Sequence, residues 1–175
     1  MKEIKDMNIG ELAAYVCSYL FGNGIKCVLS GGACVSIYTE NLYQSYDIDF
    51  IDNYFNPQYK IADLLKAIGF NRQDRYFRHN DTKLFIEFPT GPLSVGSETV
   101  KEISEIEFST GRLYLLSPTD CVKDRLCAYF YWDDQQSLEQ AIKVVTSQKV
   151  DLDEVRRWSL VEGMQTKFEI FFKKL

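Results

Sequence analysis

The pattern of hydrophobic and polar positions along the chain predicts alternating helices and strands, followed by a run of helices. Apolar residues recur at helical spacing in seven segments, at about 8–21, 32–39, 57–68, 121–132, 135–146, 152–162 and 164–174. They alternate with polar residues, or form short runs between turn residues, in seven further segments, at 25–29, 46–51, 70–73, 75–79, 83–88, 103–108 and 113–116. We therefore predict a mixed α/β (α+β) fold, with a sheet flanked by helices and a C-terminal helical bundle.

The start of the helical run is marked by the string Ser117-Pro118-Thr119-Asp120. A serine N-cap, a proline at the first helical position and an acid at the third are typical of a helix start. We expect residues 1–116 to form an α/β core and residues 117–175 to form a helical region packed on it. Before this boundary, the string Pro89-Thr90-Gly91-Pro92 predicts a break in the sheet and a flexible loop up to Thr99, bordering a cleft.

Composition narrows the class of protein. The chain has 175 residues, of which 46% are hydrophobic, so it can bury a substantial core. Its formal net charge of -5 argues against a general nucleic-acid coat, because such binding depends on many lysine and arginine contacts. The sequence contains no apolar run long enough for a membrane helix and its N-terminus lacks an apolar signal region, so we expect a cytoplasmic protein without membrane contact.

The cysteines contain no Cys-x-x-Cys pair that would indicate zinc or redox chemistry. Each lies in an apolar context, and the five positions are Cys17, Cys27, Cys34, Cys121 and Cys127. We interpret them as small buried hydrophobic residues.

The stretch from Val28 to Phe50 contains the residues that point most clearly to chemistry. Ser30-Gly31-Gly32 follows a short apolar run and precedes a helix-compatible segment, so it is predicted to be a tight turn between a strand and a helix. Glycines there leave the free N–H groups of the helix N-terminus open to an anion such as phosphate. A Gly-Gly pair alone is more often only a turn.

At the other end of this stretch, Asp47 and Asp49 alternate with Ile48 and Phe50 at the period of a strand. Both carboxylates therefore project from one face. Two neighbouring carboxylates repel each other, and a hard divalent cation such as Mg²⁺ or Mn²⁺ would relieve that repulsion. An isolated Asp-x-Asp is more often a solvated strand face, so it is the order of the two motifs that carries weight.

Taken together, the two motifs resemble the signature of the nucleotidyltransferase superfamily, the fold of DNA polymerase beta. That signature is a hydrophobic residue and Gly-Gly or Gly-Ser, a gap, and then two acids alternating with hydrophobic residues. Fourteen residues separate Gly32 from Asp47, which is slightly long for the general pattern and close to the AbiEii-type toxin branch. Ser45-Tyr46, just before the acids, also fits that branch. The resemblance covers roughly residues 25–145.

The resemblance implies a role for several further residues. Ser30, Gly31, Gly32 and Ser45 would contact the nucleotide, and Asp47 and Asp49 would hold the metal. A third carboxylate on a later strand joins the pair in this superfamily, and Glu87, between Ile86 and Phe88, is the candidate. The alternative is an edge-strand glutamate in water.

Lys123, shortly after Pro118 and Asp120, resembles the lysine that reaches the nucleotide phosphates in the AbiEii-type branch, and the resemblance implies that role for it. A cation in the first turns of a helix is disfavoured by the helix dipole, which indicates an anionic partner. Asp120 or Asp124 could equally be that partner.

The implied activity is transfer of a nucleotidyl group from a nucleoside triphosphate, with Mg²⁺ or Mn²⁺, to a hydroxyl of an RNA (tRNA) or protein acceptor. The branch further implies a toxin of a toxin–antitoxin or phage-defence system, with an antitoxin as partner. Two alternatives stay open. One is a catalytically silent member that binds a nucleotide or a partner protein, and the other is an RNA-binding or ribonuclease module around His79, with Arg72, Arg75 and Arg78 nearby.

Overall fold

The computed structural model describes residues 2–175 and shows a mixed α/β architecture, as predicted. The helices are α1 (Ile9–Gly22), α2 (Gly31–Tyr38), α3 (Gln58–Ala67), α4 (Pro118–Trp132), α5 (Gln135–Ser147), α6 (Leu152–Val161) and α7 (Gln165–Phe172). The strands are β1 (Cys27–Ser30), β2 (Asp47–Asp52), β3 (Asn71–Gln73), β4 (Tyr76–Arg78), β5 (Phe85–Glu87), β6 (Ser94–Val95), β7 (Glu98–Thr99), β8 (Ile103–Phe108) and β9 (Gly111–Leu116). None of the helices within residues 2–175 is long and apolar enough to cross a membrane.

Seven strands form one mixed sheet in the order β3-β4-β5-β2-β1-β9-β8, and β6 and β7 form a separate hairpin. β2 pairs with β5 and β1 pairs with β9 in parallel, whereas all other neighbours in the large sheet are antiparallel. The register pairs Ser30 with Asp49 and Asp49 with Glu87. These three residues therefore share one face of the sheet.

The opposite face of the central strands is fully buried. Ile48 and Phe50 of β2 and Ile86 of β5 have no exposed side-chain surface, which is the apolar half of the alternation in the sequence. The buried hydrophobic residues of the sheet and of the C-terminal helices, including Trp158 and Phe168, form a single core. The division into two parts at residue 116 stays a prediction.

Local capping sets where the helices start. Asn8 caps α1, because its side-chain oxygen accepts a hydrogen bond from the Glu11 N–H, and the Glu11 carboxylate accepts one from the Asn8 N–H. At α4, the Ser117 hydroxyl accepts from the Asp120 N–H at 3.1 Å, which confirms the predicted helix start.

The segment expected to be a flexible loop differs from the prediction. Residues 94–99 form the β6–β7 hairpin, which is fixed to α6 by the indole N–H of Trp158 donating to the Val95 carbonyl at 3.1 Å. The end of α6 adds Glu162, whose carboxylate accepts from the Ser97 N–H and hydroxyl at 2.8 and 2.6 Å. The hairpin is ordered by contacts with a helix some 60 residues later in the chain, which local composition does not reveal.

The cysteines match their interpretation. All five are free, four are buried, and Cys127 is partly buried. They serve as packing residues in the core.

Candidate active site

A cavity of about 290 Å³ lies over the face of the sheet that carries Asp49. Its walls come from the β1–α2 turn, from β2 and the end of β9, from the segment leading into β6, and from α4. The lining residues are Ser30, Gly31, Asp49, Ile51, Pro89, Thr90, Pro92, Leu93, Ser94, Leu116, Asp124 and Arg125. Elements distant in sequence therefore meet at the glycine turn and the second aspartate.

Three carboxylates stand next to one another on this face. Asp47 and Asp49 alternate along β2, and Glu87 is the register partner of Asp49 on β5. Burial raises the pKa of Asp49 to about 7, and the neighbouring Asp47 and Glu87 carboxylates add to the rise, while Arg125 opposes it. The protein thus holds more negative charge here than its own cations balance, an electrostatic environment that favours a bound cation.

Ser45 holds the carboxylate of Asp47. Its hydroxyl donates a short hydrogen bond to Asp47 Oδ1, and its backbone N–H donates to the Ser36 hydroxyl at 2.8 Å. Ser45 is buried and does not line the cavity. The structure places this residue, expected to contact the nucleotide, behind Asp47, where it restricts the orientation of that side chain.

Glu87 lies beside Asp49 but is engaged elsewhere. Arg75 Nε lies 3.4 Å from Glu87 Oε1, and the glutamate side chain is about one fifth exposed. Within residues 2–175, no group of three or more His, Cys, Asp or Glu side chains is arranged to hold a metal ion. The structure therefore brings the three predicted carboxylates onto one face without forming a three-ligand cluster from them.

The two glycines of the turn have different surroundings. Gly31 has a φ of +70°, and a Cβ on it would lie 2.5 Å from Asp49 Oδ2. A Cβ on Gly32 would meet Ser45 Oγ at 3.1 Å and the Tyr43 ring at 3.4 Å, so this glycine allows α2 to pack closely. Gly31 therefore lies at the cavity and Gly32 lies behind it.

Lys123 does not reach this cavity. It is buried, and its Nζ lies 2.7 Å from Glu154 Oε1 and 3.3 Å from Asp120 Oδ1. It lines a separate cavity of about 650 Å³, which shares no lining residue with the one at Asp49. Of the two anionic partners weighed from the sequence, Asp120 is one that the structure shows.

The cation that α4 brings to the cavity is Arg125. Because each helical residue turns by roughly 100°, Arg125 projects about 200° around the helix from Lys123. Its Nη2 and Nε donate to Asp124 Oδ2 at 2.6 and 3.1 Å, and its Nη1 donates to Gln140 Oε1 at 3.4 Å. A guanidinium has five N–H groups, so two remain for a ligand. The sequence analysis selected Lys123, and the structure brings Arg125 to the cavity at Asp49 instead.

His79 has a packing role. Its ring lies 5.1 Å from that of Phe70, and its Nδ1 accepts from the Asp81 N–H at 3.1 Å. These contacts place the histidine in the turn after β4 and account for its position without catalysis.

The comparisons with known proteins agree on the fold. No family model and no curated protein matches the sequence. An antigenic nucleotidyltransferase-like protein from Paracoccidioides brasiliensis superposes with a TM-score of 0.59 at 12% identity, over 79% of this chain and 75% of that one. The antibiotic-resistance factor ANT(2'')-Ia superposes with a TM-score of 0.53 at 11% identity, over 95% and 93% of the two chains. At such identities the likeness concerns the fold alone, and this chain has the nucleotidyltransferase-like fold that its motifs predicted.

Proposed function

We propose that this protein is a metal-dependent nucleotidyltransferase, which transfers a nucleotidyl group from a nucleoside triphosphate to an acceptor hydroxyl. One observation carries the proposal. Asp49, with its raised pKa, lies in a cavity whose other walls bring Gly31 and Arg125, with Asp47 alongside on the same strand face. The nucleotidyltransferase-like fold supports it.

Asp47 and Asp49 fit a hard divalent cation. Their oxygen donors suit Mg²⁺ or Mn²⁺. The pKa of Asp49 is raised first by burial and then by the Asp47 and Glu87 carboxylates, and a bound cation would offset both effects. Mg²⁺ is commonly held by only one or two carboxylates, with substrate phosphates completing its shell. When bound, the cation would stabilise the negative charge that develops on the transferred phosphate. Glu87 is the third candidate ligand.

The other residues of the cavity would bind and orient the substrate. The two remaining N–H groups of Arg125 would donate to the triphosphate, and Gly31 leaves the N-terminus of α2 open to a phosphate. As the acceptor oxygen bonds to the α-phosphorus and pyrophosphate leaves, the acceptor proton would pass to Glu87 Oε1. For this step Arg75 has to move away from that oxygen.

The acceptor and the biological role are proposed on the sequence motif alone. The spacing between Gly32 and Asp47, with Ser45-Tyr46 before the acids, supports the AbiEii-type branch. We propose on that ground an RNA (tRNA) or protein acceptor and a role as the toxin of a toxin–antitoxin or phage-defence system, with an antitoxin as partner.

The test is label transfer. The protein is incubated with each α-labelled nucleoside triphosphate, Mg²⁺ or Mn²⁺, and total cellular RNA or protein, and retained label is measured. We expect incorporation that is lost with a chelator and in Asp47→Asn and Asp49→Asn, and kept in Asp63→Asn, which removes an exposed acid from α3. Equal labelling by the wild type and the Asp49→Asn variant would exclude this mechanism.

A catalytically silent nucleotide-binding protein is the second candidate. It is favoured by the engagement of Glu87 with Arg75, which occupies the candidate proton acceptor. It predicts Mg²⁺-dependent nucleotide binding by the wild type with no label on any acceptor, so the same experiment separates the two.

A further inference from the structure

The sheet face that carries the acids continues beyond them toward the free edge of the sheet. Glu87 is the register partner of Asp49, and Tyr76 on β4 is the register partner of Glu87. The three side chains form one row across three adjacent strands. Tyr76 therefore lies two strand spacings, roughly 10 Å, from Asp49 on the same face.

A second row runs parallel to the first. Phe85 is the register partner of Asp47, and Arg78 is the register partner of Phe85. Arg78 is exposed, whereas Phe85 is partly buried. The first aspartate is thus followed along its row by an aromatic ring and then by an exposed cation on β4, one strand inside the edge strand β3.

The aromatic rings and guanidinium groups at the outer ends of both rows contact one another. The rings of Tyr76 and Phe85 lie 5.0 Å apart, edge to face, at 76°. The Arg78 guanidinium lies 4.7 Å from the Phe85 ring and 5.6 Å from the Tyr76 ring, and Arg75 lies 4.8 Å from the Tyr76 ring. We call these four residues, Arg75, Tyr76, Arg78 and Phe85, the ring platform.

The ring platform has the chemistry of a site for phosphates and bases. A guanidinium stacked on a ring keeps its outer face and its N–H edges free, so it can stack with a base and donate to a phosphate. Arg75 shares its charge with Glu87, but Arg78 pairs with no carboxylate in the part of the chain that the structure describes. In a chain of net charge -5, this is a local concentration of cations beside the candidate active site.

We propose that the ring platform binds the acceptor, and that the acceptor is a single strand of nucleic acid. One base would stack over Tyr76 and Arg78 while the terminal hydroxyl reaches the acids two strands away. The inference rests on the proposed function for the identity of the site beside it. A duplex is disfavoured because its bases are stacked inside. A protein acceptor is disfavoured because the platform presents two guanidinium groups over two partly buried rings and not an apolar pocket.

The test measures strand binding without any nucleotide, by fluorescence anisotropy at several salt concentrations. The probe is a labelled oligoribonucleotide of about 12 nucleotides, within the usual range of single-strand sites. In Arg78→Gln the slope of log affinity against log salt should fall by about 0.7, the value for one phosphate contact on a single strand. Tyr76→Leu, which keeps an apolar side chain and removes the flat ring, should weaken binding about tenfold.

The matched control is Arg72→Gln. Arg72 is the register partner of Phe77, so it projects from the opposite face of the same hairpin, and its removal changes the net charge equally. Affinity and salt slope in this variant should equal those of the wild type. An equal loss in Arg72→Gln and Arg78→Gln would show general electrostatic attraction and overturn the proposal.

These experiments distinguish failure of the ring platform as an acceptor site from failure of the proposed nucleotidyl transfer. A wild-type protein that labels a protein acceptor but binds no oligoribonucleotide retains the proposed function and overturns the ring platform as an acceptor site. A protein that binds the strand with the predicted losses in Tyr76→Leu and Arg78→Gln but labels nothing supports the ring platform and contradicts nucleotidyl transfer. Melting temperatures of all variants exclude loss of folding as the cause of weaker binding.

Discussion

The carboxylate of Asp49 lies directly against the backbone of Gly31. A Cβ at position 31 would be 2.5 Å from Asp49 Oδ2, far inside van der Waals contact, and φ of Gly31 is +70°. The two motifs that the sequence separates by some fifteen residues are therefore one unit in space, and the absence of a side chain in the turn sets the position of the acid.

Gly31→Ala should displace the Asp49 carboxylate. The added methyl group clashes with Oδ2, and the positive φ adds backbone strain of roughly 1–2 kcal/mol. We expect nucleotide and metal binding, measured by calorimetry, to be lost or to weaken by more than tenfold, together with a lower melting temperature.

The matched control for the strain is Gly163→Ala. Gly163 has a φ of +71°, and a Cβ there would meet nothing within 4 Å. It should lower the melting temperature by the strain alone and leave binding intact. If both variants lose the same stability and neither loses binding, the contact of Gly31 with Asp49 has no functional role.

The stability of the metal-free protein should fall as the pH rises from about 4 to about 7. The pKa of Asp49 is raised from 3.8 to about 7, so between these values the native state retains a proton that the unfolded state has released. Above about pH 7 both states have released this proton, so the contribution of Asp49 to stability changes no further. Asp49→Asn should remove the decline and be more stable than the wild type at pH 8, as measured by urea unfolding across the pH range.

Two measurements check that this decline belongs to Asp49. Asp63→Asn removes an exposed carboxylate of α3 and should retain the decline of the wild type. Mg²⁺ or Mn²⁺ at pH 8 should stabilise the wild type more than Asp49→Asn. A decline that persists unchanged in Asp49→Asn would assign the effect to another group.

Arg125→Gln should weaken nucleotide binding by roughly 1.5–3 kcal/mol, the range for a hydrogen bond to a charged group. Arg125 lines the cavity at Asp49 and has N–H groups that no protein acceptor in the described chain takes. Isothermal titration with a nucleoside triphosphate and Mg²⁺ gives the affinity, and the melting temperature reports on the fold.

Lys123→Met is the comparison variant on the same helix. It should lower stability by roughly 1–3 kcal/mol, because Asp120 and Glu154 lose a buried partner, with little change in nucleotide affinity. The opposite result, with affinity lost in Lys123→Met and kept in Arg125→Gln, would restore the role that the sequence motif assigned to Lys123.

Trp158→Phe should loosen the β6–β7 hairpin. The Trp158 indole is fully buried, donates to the Val95 carbonyl, and stacks on Phe130 at 5.6 Å. Phenylalanine has no N–H group, so the Val95 carbonyl loses this hydrogen bond, at a cost of roughly 1–3 kcal/mol. Hydrogen exchange of residues 94–99 should accelerate. Trp132→Phe, at a site 76% exposed, should change neither exchange nor stability, and faster exchange in both variants would contradict this role for Trp158.

Much of the fold could be predicted because its signals are local. The alternation Asp47-Ile48-Asp49-Phe50 determines that both acids share one face and that the apolar residues enter the core, since side chains alternate along any strand. The caps at Asn8 and Ser117 act within three residues, so they too can be identified without tertiary structure.

Glu87 marks the limit of such reasoning. The sequence places it on a strand, and its register partner Asp49 follows only from the parallel pairing of β2 with β5, across three intervening elements. Its contact with Arg75 depends on the position of the next strand and has no sequence signal.

What the sequence by itself determined is the α/β fold and the position of the glycine turn and the aspartate pair within it. Only the tertiary structure decided which cation faces the acids. Lys123 and Arg125 are two residues apart on α4, and the rotation of that helix on the sheet sends one to Glu154 and the other to the cavity. That rotation is set by packing of the apolar face of α4 against residues from several distant segments, so no local pattern contains it.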